Sequence, residues 1–306
     1  MASSDLVMGT LFLFQTGVGL LGNSSLLYFY ILTSLTKHTR PIDLILSQLA
    51  LANSVVLFSK GTPQILVAFR FAYRLGEAEC KVSLYAHRVA RGVSLCSTCF
   101  LSAFQAITIC SGGSTWAELK WKAPKFVQPS CSLCWVLHLL IAIIVPLKTI
   151  NAGHTINITS KNFGLCSQTE PESSATPFYA FLFFFLDILF LGLTGWASGS
   201  IVIFLQRHKQ RVQYIHHTRL SPRVSPETTA THTILLLVTS SVSFYSVSSI
   251  LSLYVTCFVN PSLRLVNITT FLASFFPAFS PFVLISYNRQ LFRTYFVGCS
   301  KMKIFK

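Results

Sequence analysis

Seven apolar runs of membrane-crossing length recur along this chain, at about residues 6–32, 42–69, 81–109, 130–146, 178–205, 230–258 and 265–287. A hydrocarbon core about 30 Å thick takes roughly 20 helical residues to cross, because an apolar solvent forces every backbone N–H and C=O to be satisfied within the segment. The pattern therefore predicts an all-α membrane protein, a single bundle of seven transmembrane helices over residues 1–306. Composition agrees: 52% of the 306 residues are hydrophobic and only 11% charged, against about 25% charged in an average soluble domain. A soluble globule is excluded, and the short connections leave no room for a separate catalytic domain. The first run comes after a five-residue polar stub, Met1–Asp5, with no basic flank before it and no small-residue cleavage pattern after it. It reads as a retained helix rather than a signal peptide.

Orientation is set by the Lys and Arg residues, of which there are 24 against nine Asp and Glu. With the C-terminus cytoplasmic, six lie on the outer face (Arg70, Arg74, Lys81, Lys148, Lys161, Arg264) and three within spans (Lys60, Arg88, Arg91), leaving fifteen for the inner face. That asymmetry favours an outer N-terminus and accounts for a net charge of +15 without nucleic acid, since basic inner loops also meet anionic lipid head groups. On this topology Asn157-Ile158-Thr159 is a glycosylation acceptor in a long outer loop. The Asn23 and Asn267 sequons fall in or at the start of spans and are not expected to be modified.

Of nine cysteines, Cys80 and Cys166 fall on the oxidising side, one before the third span and one in the outer loop, so a disulfide between them is expected to pin that loop over the bundle mouth. Cys131 and Cys134 form a CxxC at the start of an apolar helix without a second ligand pair, and read as packed thiols rather than a metal or redox site.

Ionisable groups inside spans are costly and therefore informative. Arg88 and Arg91 share one face of the third helix, with His87 adjacent, in the half expected to be outer. One reading has Arg91, with His87 and Arg88, contact an acceptor group on a ligand such as a carboxylate, sulfate or carbonyl. The other has the arginines clamp helices together, bonded to carbonyls or paired with Asp187. Lys60 precedes Gly61-Thr62-Pro63, where a kink is expected to bring its ammonium toward the pocket or outer water. His138, alone among apolar residues, reads as an interhelical hydrogen bonder. The Phe-rich run from Phe181 to Phe185 reads mainly as lipid-facing packing.

Several stretches carry a family likeness. Residues Lys81 to Ala106, with His87-Arg88-Val89-Ala90-Arg91-Gly92-Val93-Ser94 and Phe104-Gln105-Ala106, resemble the third helix of vomeronasal type-1 receptors. Trp116-Ala117-Glu118-Leu119-Lys120, Lys122-Ala123-Pro124-Lys125, Trp196-Ala197-Ser198-Gly199-Ser200, Arg207-His208-Lys209-Gln210-Arg211, Leu220-Ser221-Pro222-Arg223 and Ser280-Pro281-Phe282-Val283-Leu284 resemble that family in order, across nearly the whole chain. Such receptors are a branch of the seven-helix G-protein-coupled class, and some general landmarks persist: Asn23 after Gly22, Trp135 in the fourth helix and Pro281 in the seventh, to be read with Asn53 and Asp187 as bundle-building residues. Others differ. Asn53 stands where many receptors carry aspartate, which puts a sodium site there in doubt, and Gln105 occupies the middle of the usual Asp-Arg-Tyr motif. Within the branch itself a proline before Asp187 and a basic residue near Thr229 are expected and missing, and the first absence is expected to straighten the fifth helix.

The resemblance implies a plasma-membrane receptor for pheromones or related small molecules. Its ligand would lie among Arg91, His87, Arg88 and Lys60, and its partner would be a heterotrimeric G protein of the Gi/Go type. That partner would dock on Gln105, on the loop bearing Lys120, Lys122 and Lys125, and on Arg207, Lys209 and Arg211. No cofactor or metal is implied. No nucleophile, acid–base pair or metal cluster converges anywhere in the sequence, so no enzyme is expected. A multi-span transporter or channel is the alternative, against which stands the lack of internal repeats.

Overall fold

The computed structural model describes residues 3–36, 40–69, 77–109, 114–146, 175–215, 226–257 and 262–287. Among them there is no strand. Seven helices occur in order: α1 (Ser3–Thr36), α2 (Pro41–Ala68), α3 (Glu77–Ile109), α4 (Ser114–Ala142), α5 (Ala175–Ile215), α6 (Pro226–Cys257) and α7 (Leu263–Tyr287). Each carries a stretch long and apolar enough to cross a membrane, and the side chains that face outward agree with a lipid solvent: Phe14, Leu21, Leu140 and Trp196 are more than 60% exposed. In water such a surface would aggregate; in lipid it is the expected exterior.

The helices close into a ring, with α1 on α2, α2 on α3, α5 on α6, α6 on α7 and α7 back on α1. α3 is the axis. It packs on α2, α4, α5 and α6, and the most apolar stretch of its span is 61% buried, against 22% for α4 and for α5. The core around it joins Leu26, Ile45, Leu49, Leu95, Tyr245 and Phe276, with a second cluster of Val89, Val93, Cys96 and Cys134 where α4 meets α3. Small residues set the closest approaches, as expected where lipid tails offer no competing hydrophobic drive. A Cβ at Gly19 would lie 2.9 Å from the Ala278 backbone, and one at Gly22 would lie 2.9 Å from Pro281.

A proline inside a helix leaves the carbonyl one turn back without its donor, and at Pro63 and Pro281 a neighbouring helix supplies the missing hydrogen bond. α2 runs unbroken through Pro63. Pro63 has no N–H for the Ser59 carbonyl, and the Ser83 hydroxyl of α3 donates to that carbonyl instead, at 2.5 Å. Pro281 likewise frees the Pro277 carbonyl, which accepts the Asn23 amide of α1 at 2.9 Å. α5 continues for 41 residues without a break at Asp187. α4 departs from the sequence expectation: it begins at Ser114 rather than near residue 130, so the segment read as a loop from Trp116 to Lys125 is helical. Its polar composition hides this. There the helix is held by local pairs, Lys122 on Glu118 at 2.5 Å one turn apart and Lys125 over the Trp121 ring at 5.7 Å.

Candidate functional site

The polar side chains of α3 fall on one buried stripe because they recur every three or four residues: His87, Arg91, Ser94, Thr98, Ser102 and Gln105. Thr98 and Ser102 satisfy themselves, each hydroxyl donating to the carbonyl one turn back, at 2.8 Å and 3.0 Å. Arg91, 4% exposed, reaches across to two other helices. Its Nη2 donates to Asp187 Oδ2 of α5 at 3.1 Å, to Ser249 Oγ of α6 at 2.7 Å and to the Tyr245 carbonyl at 3.4 Å, while Nε donates to Asp187 at 3.3 Å. Ser249 in turn donates to Asp187 at 2.6 Å. The guanidinium also lies over the Tyr245 ring, 5.0 Å from its centroid.

From Tyr245 the hydrogen bonds run on toward α7. Ser94 has one hydroxyl proton and gives it to Asn53 Oδ1 at 2.7 Å, so Tyr245 Oη, also 2.7 Å from Ser94 Oγ, must donate to it. Asn53 then donates to Ser280 at 2.9 Å. A continuous chain thus links Arg91, Tyr245, Ser94, Asn53 and Ser280 through α3, α6, α2 and α7. A neutral Asn53 suits this place, since it donates and accepts at once.

The other basic groups of this half, the one nearer Cys80, are not held in this way. Lys60 of α2 lies within electrostatic reach of His87, Arg88 and Arg91 and makes no hydrogen bond or ion pair among the described residues. Arg88 makes none there either; its guanidinium rests over the Phe183 ring at 4.9 Å. His87 Nδ1, Thr16 Oγ1 and Gln15 Oε1 are buried without partners among the described residues. Thr16 sits against Gly61, where a Cβ would collide with its hydroxyl. Among the described residues, three cations therefore share the interior of this half with a single carboxylate, Asp187, whose Oδ2 accepts from Arg91 and Ser249.

The sequence predicts a hydrogen bond from His138 to another helix; instead its Nδ1 lies 3.0 Å from the Cys134 carbonyl one turn back in its own helix, while its ring presses so closely on α3 that a Cβ at Gly92 would overlap it. Cys131 and Cys134 are buried free thiols, and no group of three metal-ligating side chains occurs among the described residues. Trp135 is fixed by donation from Nε1 to Gln48 Oε1 at 2.5 Å. Asn23 donates to the Gly19 and Pro277 carbonyls, and Pro281 is buried against Gly22.

At the far end of α3, Gln105 is 3% exposed and both its side-chain polar atoms lack partners among the described residues. Lys120, Lys122, Lys125 and Arg207 are exposed. The side chains of Lys209 and Arg211, and residues Asn157 and Cys166, lie outside what is described. Cys80 is buried near the start of α3 and is disulfide-bonded.

Sequence reasoning passed over Tyr245 and Ser249. Their signal was available: Ser241, Tyr245, Ser248 and Ser249 place polar groups at three- and four-residue spacing inside an apolar helix, which in lipid marks an interior face.

A family profile described as the vomeronasal organ pheromone receptor family matches residues 6–297. Vomeronasal type-1 receptor 1 of Gorilla gorilla gorilla is 45% identical over 307 residues, covering all of this chain and 87% of that protein. Vomeronasal type-1 receptor 4 of Pongo pygmaeus is 44% identical over 97% of this chain and 99% of its own length. More distantly, olfactory receptor class A-like protein 1 of Danio rerio is 28% identical over 93% of the chain and 90% of its own.

Proposed function

The chain belongs to the vomeronasal type-1 receptor family, a multi-pass plasma-membrane family of pheromone receptors, and from that premise we propose how its own residues do the work. A small ligand binds in the outer half of the bundle and activates a Gi/Go-type heterotrimeric G protein from the inner face. The whole chain acts as one receptor domain with its N-terminus outside, and no step of the function is catalytic.

One observation carries the placement of the ligand: Lys60, His87 and Arg88 bring basic groups into the interior, and the one carboxylate near them among the described residues, Asp187, already accepts from Arg91 and Ser249 at Oδ2. A cation in lipid without an acceptor is unfavourable, so a ligand offering a carboxylate, sulfate or carbonyl gains there what hydrocarbon cannot supply. Arg91 is the fourth contact and the one that transmits. It ties α3 to α5 and α6 through a single carboxylate and a single hydroxyl, so an acceptor on the ligand competes directly with Asp187 and Ser249. Redistribution of those bonds shifts how α5 and α6 sit against α3, the helix that carries Gln105 in its last turns. Lys120, Lys122, Lys125, Arg207, Lys209 and Arg211 form the G-protein face, whereas Gln105, expected there from the sequence, is buried behind it. The ligand acts by favouring one arrangement over the other through differential affinity. A Cys80–Cys166 bond closes the outer loop over the site, supported by the bonded state of Cys80, and Asn157 carries the glycan.

The test is nucleotide exchange on Gi and Go in membranes of cells expressing the full chain, against a panel of steroids, steroid sulfates and volatile acids, with Arg91→Ala and Arg91→Lys beside it. A ligand-specific response, lost in Arg91→Ala at equal surface level, is the expected result. Silence of both G proteins across the panel, with the glycosylated chain at the surface, overturns the coupling.

A further inference from the structure

Asn53 joins α2 to Ser94 of α3 and to Ser280 of α7, and Asn23 joins α1 to the Pro277 carbonyl of α7. Seven residues along a helix bring a side chain back to nearly the same face, about 10.5 Å further on. Seven residues toward the Cys80 end, Asn23 is replaced by Thr16, Asn53 by Lys60 and Ser94 by His87, and Ser274 lies six residues from Ser280 in the same direction. Contacts at that level hold the same helices together. Gln15 Nε2 donates to the Phe271 carbonyl of α7 at 3.1 Å, the Ser83 hydroxyl of α3 donates to the Ser59 carbonyl of α2, and Thr16 Oγ1 abuts Gly61. A second polar layer thus stands about two turns from the first.

This second layer is made of donors. Thr16, His87 and Ser274 are 4%, 7% and 2% exposed, and Thr16 Oγ1, His87 Nδ1 and Ser274 Oγ have no partner among the described residues. Each of these atoms can donate, and Lys60 adds three ammonium protons. Against them stands one unpaired acceptor, the uncharged Gln15 Oε1. The charges that act on Lys60 are Arg88 and Arg91, and those that act on His87 are Lys60, Arg88 and Arg91, all of them basic. Lys60 is only half-buried, so space remains beside it.

We propose that this layer, formed by Lys60, Thr16, His87 and Ser274, is a binding site for a chloride ion. A water molecule could serve the hydroxyls but leaves the ammonium without a counter-charge, which is the costly part of placing it in lipid. A monatomic anion supplies that charge and accepts from every direction, as donors arriving from four helices require. The site deepens the proposed placement of the ligand by naming the ion that holds these groups when no ligand is bound; a ligand carboxylate or sulfate takes its place. It rests on that reading for the competition and not for the binding of chloride.

The experiment uses the purified full chain in phosphatidylcholine nanodiscs at constant pH and ionic strength, with chloride titrated against gluconate and the thermal denaturation midpoint as the readout. The midpoint is expected to rise with chloride by about 2–4 °C, the shift for a chain of this size when the ion stands at about ten times its dissociation constant. Lys60→Met should have the same midpoint in both salts. Ser274→Ala and Thr16→Val keep the charge and each remove one donor, so each should raise the half-effective chloride concentration about tenfold, the scale of one hydrogen bond to a charged group. A parent midpoint indifferent to chloride overturns the inference, as does a chloride effect that survives in Lys60→Met or is unchanged in both hydroxyl variants. Gi/Go nucleotide exchange against the ligand panel is scored on the same preparations at low and high chloride. A chain that responds to a ligand but is indifferent to chloride defeats the ion site alone, and one that binds chloride but never signals defeats the receptor mechanism alone.

Discussion

The groups around Arg91 and those around Lys60 occupy neighbouring parts of one half of the bundle, yet the first set is closed and the second open. Arg91 directs its donors to a carboxylate, a hydroxyl and a carbonyl from two other helices, and the chain of bonds continues through Tyr245, Ser94 and Asn53 to Ser280. Around Lys60, the buried atoms His87 Nδ1, Thr16 Oγ1 and Gln15 Oε1 have no partner among the described residues, and Arg88 leans on an aromatic ring. In a bilayer the two arrangements have different meanings. A satisfied network fixes helices relative to one another, whereas unsatisfied basic groups define where an acceptor from outside is wanted.

That contrast can be broken most directly at Asp187. Asp187→Ala leaves the Arg91 charge buried without its counter-ion and should lower stability by about 3–5 kcal/mol, read as a fall in the thermal denaturation midpoint of the detergent-purified chain. A variant as stable as the parent would show that the closed network holds nothing together. Next in size is Gly92→Ala, whose methyl group must displace the His138 ring. We expect a loss of about 1–3 kcal/mol, largely restored in the double variant with His138→Ala, and a double-mutant cycle with no coupling would deny that close approach. Asn53→Ala, which removes the link between Ser94 and Ser280, should cost about 0.6 kcal/mol and no more than about 1.7, the range of interhelical hydrogen bonds measured in membranes. The smallest structural effect belongs to the open region. Lys60→Met should leave the denaturation midpoint unchanged or slightly raised, because it removes a cation that sits near Arg88 and Arg91 without an acceptor among the described residues, and on the proposed function it should selectively weaken the response to carboxylate or sulfate ligands. A large loss of stability in Lys60→Met would place that lysine in the closed network after all.

Helix number and type were legible before any coordinates, since seven runs of apolar residues at membrane-crossing length admit little else. The boundaries of α4 were not, because the hydropathy of residues 114–129 resembles a loop, although Val127 there packs into the core and Glu118 pairs with Lys122 one turn on. Among site residues, Arg88, Arg91, His87, Lys60 and Asp187 stand out in sequence as charges or imidazoles in an apolar context. Tyr245, Ser249, Ser94 and Ser280 do not. A hydroxyl in a membrane helix can bond its own backbone one turn back, as Thr98 and Ser102 do, and reveals nothing of its neighbours until they are in place.

By itself the sequence determined the solvent and its consequences: lipid forbids unpaired backbone, so apolar runs become helices, and the rare charges within them become significant. It also carried the family likeness, residue by residue. The tertiary structure alone decided which of two equivalent arginines is hydrogen-bonded among the described residues and which rests over an aromatic ring. Arg88 and Arg91 lie three residues apart on the same helix with the same chemistry, and nothing local separates them. The difference arises because α5 and α6 bring Asp187 and Ser249 within hydrogen-bond distance of one guanidinium and only the Phe183 ring to the other, and partner distance across helices is a property no single segment encodes.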